Sequence, residues 1–151
     1  NLDYMALARE EGGEVLCGGD RLTLAHDGFY MAPAVIAGTD NGWRINREEM
    51  FAPIACVIRA GSYDEALAIS NDTEFGLTAG IMTRSLARAG DFRRRAETGV
   101  VMVNLPTAGT DYHVPFGGRG DSSFGPREQG QYAVEFFTST KTAYISSGPV
   151  S

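Results

Sequence analysis

Residues 54–83 read IACVIRAGSYDEALAISNDTEFGLTAGIMT, and their pattern decides the fold. Ile54 to Ile58 is an unbroken apolar run, the signature of a strand covered on both faces. Ser62 follows, with Glu65 three residues on, a capping box that opens a short helix over SYDEALAISN. Leu77 to Thr83 is the next apolar, β-prone run. The alternation continues downstream: Ser85 can cap a helix from Leu86 to Glu97, Gly99 can end it, and Val100 to Asn104 (VVMVN) is a third apolar strand. Strand, helix, strand, helix, strand with apolar strands predicts a parallel sheet covered by helices, so the fold class is α/β.

Upstream, apolar residues at helical spacing (Leu2, Met5, Ala6, Ala8) predict a helix to Glu11, stopped by Gly12 and Gly13. EVLCGG reads as a short strand and turn. RLTLAHDGFYMAPAVI holds two β-prone runs about Asp27-Gly28, a hairpin pattern in which Pro33 demotes the second run to an edge or irregular strand. Downstream, residues 105–126 carry five glycines and three prolines, a long loop of the kind that tends to carry function. Arg127 to Phe137 then reads as a helix despite Gly130, and TSTKTAYI (138–145) as an exposed terminal strand that needs a partner for its edges.

The 151 residues fit one compact domain. A formal net charge of −6 argues against a nucleic-acid footprint, and Arg93 to Arg95 read as the solvated face of a helix. No apolar run is long enough to span a membrane, and the N-terminus lacks the basic start and apolar segment of a signal peptide. It also lacks an initiating Met and starts inside a predicted helix, so the chain is expected to be a piece of a longer protein. Two distant cysteines without metal-ligand spacing point to a reducing, cytoplasmic setting and no metal site.

The candidate site begins at residues 47–54, REEMFAPI. Two carboxylates, Glu48 and Glu49, run into Phe51 and a backbone locked by Pro53. Glu48 reads as surface. Cys56, inside an apolar strand, reads as an inert core thiol and Cys17 as a strand-end residue. A pairing of Cys17 with His113 is left open by sequence. GGRGDSSFG is rich in glycine but does not link a strand to a helix, which makes it a weak dinucleotide-binding signal. No catalytic centre emerges from the residues themselves.

Five ordered motifs carry a resemblance to the NAD(P)-dependent aldehyde dehydrogenases: EEMFAPI, NDTEFGLTAGIMT, GVVMVN, PFGGRGDSSFGPREQG and FFTSTKTAYI. The match runs from about residue 1 to 145 and is most similar to α-ketoglutaric semialdehyde (2,5-dioxopentanoate) dehydrogenases. Gly120 departs from it, standing where many members have Lys. The resemblance implies the C-terminal part of the catalytic domain over residues 1–137, and an oligomerisation strand and tail over 138–151. It implies NAD or NADP as cofactor, a small aldehyde as substrate and a homo-oligomer assembled through 138–145. Glu49 falls on the carboxylate that binds the nicotinamide ribose, Phe51 on the aromatic beside the nicotinamide, and Phe116 on a phenylalanine of the aldehyde pocket. Asn104 is expected to anchor a loop; Arg119 and Arg127 are weaker candidates for a substrate carboxylate, Arg127 more simply for anchoring the last helix. Neither cysteine matches the family's nucleophile, so no catalytic residue is assigned and the chain alone is expected to be inactive. The alternative is a non-enzymatic module that acts in assembly.

Overall fold

A computed structural model describes residues 1–148. The chain divides into two compact units, Asn1–Glu74 with Asp91–Ala96, and Phe75–Gly90 with the chain from Glu97 onward. The secondary structure is mixed α/β.

In the first unit, helix α1 (Leu2–Glu10) buries Met5 and Ala8. It ends as its glycines predict: Gly12 N–H donates to Arg9 O (3.1 Å) and Gly13 N–H to Ala8 O (2.8 Å), with Gly12 at φ +98°. These are the two bonds of a Schellman cap, and the positive φ is what glycine supplies. Strands β1 (Glu14–Cys17), β4 (Ala34–Ala37) and β5 (Ile54–Val57) form a sheet in the order β1-β4-β5, β4 antiparallel to β1 and parallel to β5. Between them β2 (Arg21–Leu22) and β3 (Tyr30–Met31) make the expected hairpin, two residue pairs long. Pro33 separates β3 from β4, but the segment after it is the central strand of its sheet rather than an edge. Proline's missing N–H is harmless there because it falls just before the ladder, and Ala34 N–H donates to Pro53 O at 2.9 Å. Met5, Ala8, Ala34, Ile36 and Ile45 form the core, with Tyr4, Trp43, Met50 and Cys56 packed against it.

Helix α2 (Arg44–Arg47) is a single turn, and α3 (Tyr63–Asn71) starts at Ser62, whose Oγ accepts from Glu65 N–H at 3.1 Å. The reciprocal half of the predicted box is displaced by one residue: the Glu65 carboxylate accepts from Gly61 N–H at 2.6 Å. Helix α4 (Leu86–Arg95) is capped by Ser85 as predicted, Oγ accepting from Arg88 N–H at 3.3 Å.

In the second unit β6 (Thr78–Ile81) and β7 (Val100–Val103) pair in parallel. Each of the three apolar runs thus has a parallel neighbour, β5 with β4 and β6 with β7, but they belong to two sheets instead of one. None is fully buried: β5 alternates half-buried with exposed residues, and every β7 residue is half-buried. An apolar run reports the tolerance of a strand for burial on both faces, not which element covers each face.

The last predicted helix is shorter than its pattern suggested. Glu128 pairs in a bridge with Phe116, Gln129 sits at φ +67°, and helical structure begins with a 3₁₀ turn (Gly130–Tyr132) leading to α5 (Ala133–Phe137). Gly130, at φ +55°, cannot continue a right-handed helix from Arg127. Residues 138–148 form no strand ladder within the chain; residues 149–151 of the predicted tail lie outside the described residues.

Candidate functional site

The turn that carries Glu49 and Phe51 is built from both ends of the first unit. Glu11, just past α1, accepts from the free N–H groups of Arg44 (2.8 Å) and Ile45 (3.2 Å), satisfying the start of α2. Helix α2 then delivers Glu48, which accepts from Tyr4 O–H at 2.8 Å and from Arg44 Nε at 2.5 Å. The Arg44 guanidinium first, then the Tyr4 hydroxyl, hold the Glu48 carboxyl below its ordinary range, and the Glu48 carboxylate in turn pushes the Tyr4 phenol up. Glu48 is therefore half-buried and structural, not the free surface group its sequence suggested. Met50 packs on the core, and Ile54 N–H closes the exit by donating to Ala52 O at 2.8 Å.

With Glu48 and Met50 turned inward, Glu49 and Phe51 face outward. Phe51 is 88% exposed and its backbone sits at φ +47°. A large side chain gains nothing from solvent, and a left-handed backbone costs a non-glycine residue roughly 1–2 kcal/mol. Strain of that kind persists where surrounding contacts enforce it, and it clusters at functional sites. The pair offers a flat aromatic face and, two residues before it, a carboxylate free to accept hydrogen bonds from a diol. An acceptor and an aromatic face at that spacing fit the nicotinamide riboside end of NAD or NADP.

Phe116 belongs to the second unit, where a loop from 116 to 128 closes on itself. Phe116 N–H donates to Glu128 O (2.7 Å) and Glu128 N–H to Phe116 O (3.0 Å). Inside the loop Gly118 N–H donates to Ser123 Oγ at 2.6 Å, and the Arg127 guanidinium donates to Gly118 O. The loop is stitched to the segment before β6: Arg119 N–H donates to Gly76 O (2.9 Å) and Gly76 N–H to Ser122 Oγ (3.0 Å). Gly99 fits against this loop because it lacks a side chain; a Cβ there would come 1.8 Å from Gly117 O. Gly99 is thus a close-approach glycine, not the helix stop its position suggested, since α4 ends four residues earlier. Asn104, at φ +56°, does anchor a loop, its Oδ1 accepting from Thr83 N–H (2.8 Å) and its Nδ2 donating to Thr83 O (2.9 Å). Arg127 anchors the glycine turn rather than the last helix, while Arg119 is exposed.

Cys17 is exposed on β1, and Cys56 is half-buried on β5, where desolvation first and the Glu11 charge second push its thiol up. A raised thiol is a poor nucleophile near neutrality. His113 is exposed in the second unit. Among the described residues no cluster of His, Cys, Asp or Glu could hold a metal ion, and no helix is long and apolar enough to cross a membrane.

Parallel strand pairs flanked by helices, with an outward carboxylate–aromatic turn, place the chain among the mixed α/β proteins. Within that class, residues 1–143 match the aldehyde dehydrogenase family, and the chain belongs to that family. It is 37% identical to an α-ketoglutaric semialdehyde dehydrogenase of Bacillus subtilis (strain 168) over 146 residues, which are 95% of this chain and 30% of that one. It is 39% identical over 148 residues to an α-ketoglutarate semialdehyde dehydrogenase of Haloferax volcanii, covering 96% of this chain and 31% of the other. The structure superposes on a Mycobacterium tuberculosis aldehyde dehydrogenase complexed with NAD+ with a TM-score of 0.86 at 33% identity, over 99% of this chain and 30% of that chain. A mutant of the P. syringae indole-3-acetaldehyde dehydrogenase AldA, in complex with NAD+ and IAA, gives a TM-score of 0.87 at 33% identity, over 95% of this chain and 29% of that chain. The chain thus spans about 30% of the length of the relatives it matches.

Proposed function

We propose that this chain supplies the cofactor-positioning and substrate-lining part of an NAD(P)-dependent aldehyde dehydrogenase acting on α-ketoglutaric semialdehyde, without supplying its nucleophile. The observation that carries the reading is the turn at 48–53, which spends backbone strain to expose Phe51 beside Glu49. NAD or NADP, when bound, would supply the hydride acceptor for the oxidation. Glu49 would accept hydrogen bonds from the ribose hydroxyls, and Phe51 would offer its ring to the nicotinamide. Together they restrict the ring to orientations from which transfer can occur. Phe116, held by the Glu128 bridge, lines the aldehyde side. The raised Cys56 thiol and the lone, exposed Cys17 support the reading that the attacking thiol is not among these residues. The substrate follows the similarity to the two semialdehyde dehydrogenases.

The same reading assigns the protein to the cytoplasm and to a homo-oligomer formed through residues 138–145, where Tyr144 and Ile145 are 97% and 92% exposed. An exposed segment with β-prone residues and unpaired backbone groups there has reason to pair with another chain. Size-exclusion chromatography of the chain with and without residues 138–151 tests this: the truncated chain is expected to elute as the smaller species.

The catalytic reading is tested by a chimera in which this chain replaces the matched part of the Bacillus subtilis enzyme. The chimera is expected to reduce NAD+ or NADP+ when α-ketoglutaric semialdehyde is added, and the isolated chain to leave both unchanged. Thiol-dependent turnover by the isolated chain would overturn the proposal.

A further inference from the structure

The structure assigns Arg127 as a positioning residue that clamps the Phe116-Gly117-Gly118 turn and so fixes where the Phe116 ring stands. This deepens the proposed function, because it rests on Phe116 lining the aldehyde side. Three observations converge on Arg127. Its guanidinium donates to Gly118 O, two residues beyond the phenylalanine. Its side chain also fills the space over Gly117, where an added Cβ would come 2.8 Å from Nη1 and 3.0 Å from Cδ. And Glu128, its chain neighbour, exchanges both backbone hydrogen bonds with Phe116. Arg127 and Glu128 therefore grip the turn from consecutive positions, one through the side chain and one through the backbone.

The geometry explains why arginine stands there. The Arg127 side chain covers Gly117 with Cδ and Nη1 while Nη1–H reaches Gly118 O, a combination that suits a guanidinium better than the compact ammonium of a lysine on its flexible stem. It also separates this role from the one suggested by charge alone. A guanidinium that bonds a backbone carbonyl through Nη1 and packs over glycine is placed to hold the loop, which leaves only its remaining N–H groups for any other acceptor. The opposite edge of the turn is held separately, by Ser123 Oγ on Gly118 N–H. Phe116 is thus the one large side chain on a turn pinned at both amide faces.

The test uses the chain itself, labelled with para-fluorophenylalanine, the Phe116 signal being assigned by its loss in F116L. In R127M the Phe116 fluorine resonance is expected to shift and broaden. Amide exchange at Phe116 and Gly118 should rise about tenfold, as loss of one charge-assisted hydrogen bond implies. The amides of Val35 and Ile36, in the other unit, should stay protected and report that the fold survives. R127K should recover little of the effect, since charge without the planar fork does not restore the clamp. An unshifted Phe116 resonance in R127M, or full recovery in R127K, overturns the assignment. If R127M unfolds the chain, R127K decides instead: a displaced Phe116 resonance with Val35 and Ile36 still protected supports the clamp, and a wild-type resonance overturns it. The pocket reading fails separately. A Phe116 resonance that responds to R127M and is indifferent to added α-ketoglutaric semialdehyde keeps the clamp and removes Phe116 from the aldehyde side.

Discussion

The Tyr4 hydroxyl donates to Glu48 at 2.8 Å, joining the first helix to a turn 44 residues away in sequence. Glu48 is the last fixed point before Glu49 and Phe51, so a hydrogen bond at the start of the chain sets how the candidate cofactor turn leaves α2. Y4F should lower the melting temperature by no more than a few degrees, because Tyr4 and Glu48 are both accessible to water and screened. Its larger effect should be on the turn: amide exchange at Glu49 to Phe51 should accelerate while β4 stays protected. Equal exchange in Y4F and wild type would detach Tyr4 from the turn.

Three hydrogen-bonded carboxylates, Glu48 with Tyr4 and Arg44, Asp72 with Arg47, and Asp91 with Tyr63, predict an acid limit. Glu48, Asp72 and Asp91 all have carboxyls held below their ordinary values of 4.5 and 3.8, through hydrogen bonds from Arg44, Arg47 and Tyr63 respectively as the leading causes. For a depressed carboxyl the native state binds fewer protons than the unfolded chain, so the stabilisation is complete above the ordinary value and lost as pH falls through the native one. The melting temperature should be flat from neutral pH down to about 5 and fall below that. R47M should shrink the fall, since it removes the cation that depresses Asp72.

Thiol chemistry should separate the two cysteines. Cys17 is exposed, whereas Cys56 is half-buried with a raised thiol. An alkylating reagent at neutral pH should modify Cys17 first and Cys56 in a distinctly slower phase that speeds up with rising pH. Mass mapping of the product decides it; Cys56 labelled first would contradict the packing of β5.

Much of the fold was legible because local chemistry and final structure agree where hydrogen bonds are short-range. Ser62 and Ser85 cap the helices they were expected to cap, and the Gly12-Gly13 pair closes α1. What sequence could not give were relations across distance. VVMVN and IACVI look alike as apolar runs, and nothing local tells that they lie in separate sheets. Glu48 and Glu49 are adjacent acids; only Tyr4 and Arg44 distinguish the anchored one from the free one. Gly99 looked like a helix stop because the residue pressing on it, Gly117, is far along the chain. The left-handed backbone at Phe51 left no trace in the sequence beyond the neighbouring proline.

Gly99 gives a sharp stability test. G99A puts a methyl group into the space of Gly117 O, 1.8 Å away, with backbone on both sides. The cost should be about 3 kcal/mol, the upper end for overpacking, because no side chain can swing aside. S62A, by comparison, should cost about 1 kcal/mol, the usual value of a lost N-cap. Urea unfolding of both variants checks the order, and a G99A chain as stable as S62A would mean the loop packs differently.

Phe51 tests whether strain is held for function. F51G removes a ring that is 88% exposed and relieves a φ of +47°, so stability should be unchanged or slightly raised. In the chimera with the Bacillus subtilis enzyme the same change should raise the KM for the nicotinamide cofactor. A loss of stability would mean the ring is packed in solution.

The most direct measurement of the central claim is the cofactor dependence of that chimera with Glu49→Gln. An amide accepts the ribose hydroxyls more weakly than a carboxylate, and Glu49 makes no contact that holds the turn, so folding should be untouched. The E49Q chimera is expected still to bind and attack the aldehyde but to transfer hydride about tenfold or more slowly, the value of one charge-assisted hydrogen bond. Hydride transfer at the parent rate in the E49Q chimera would contradict the central claim.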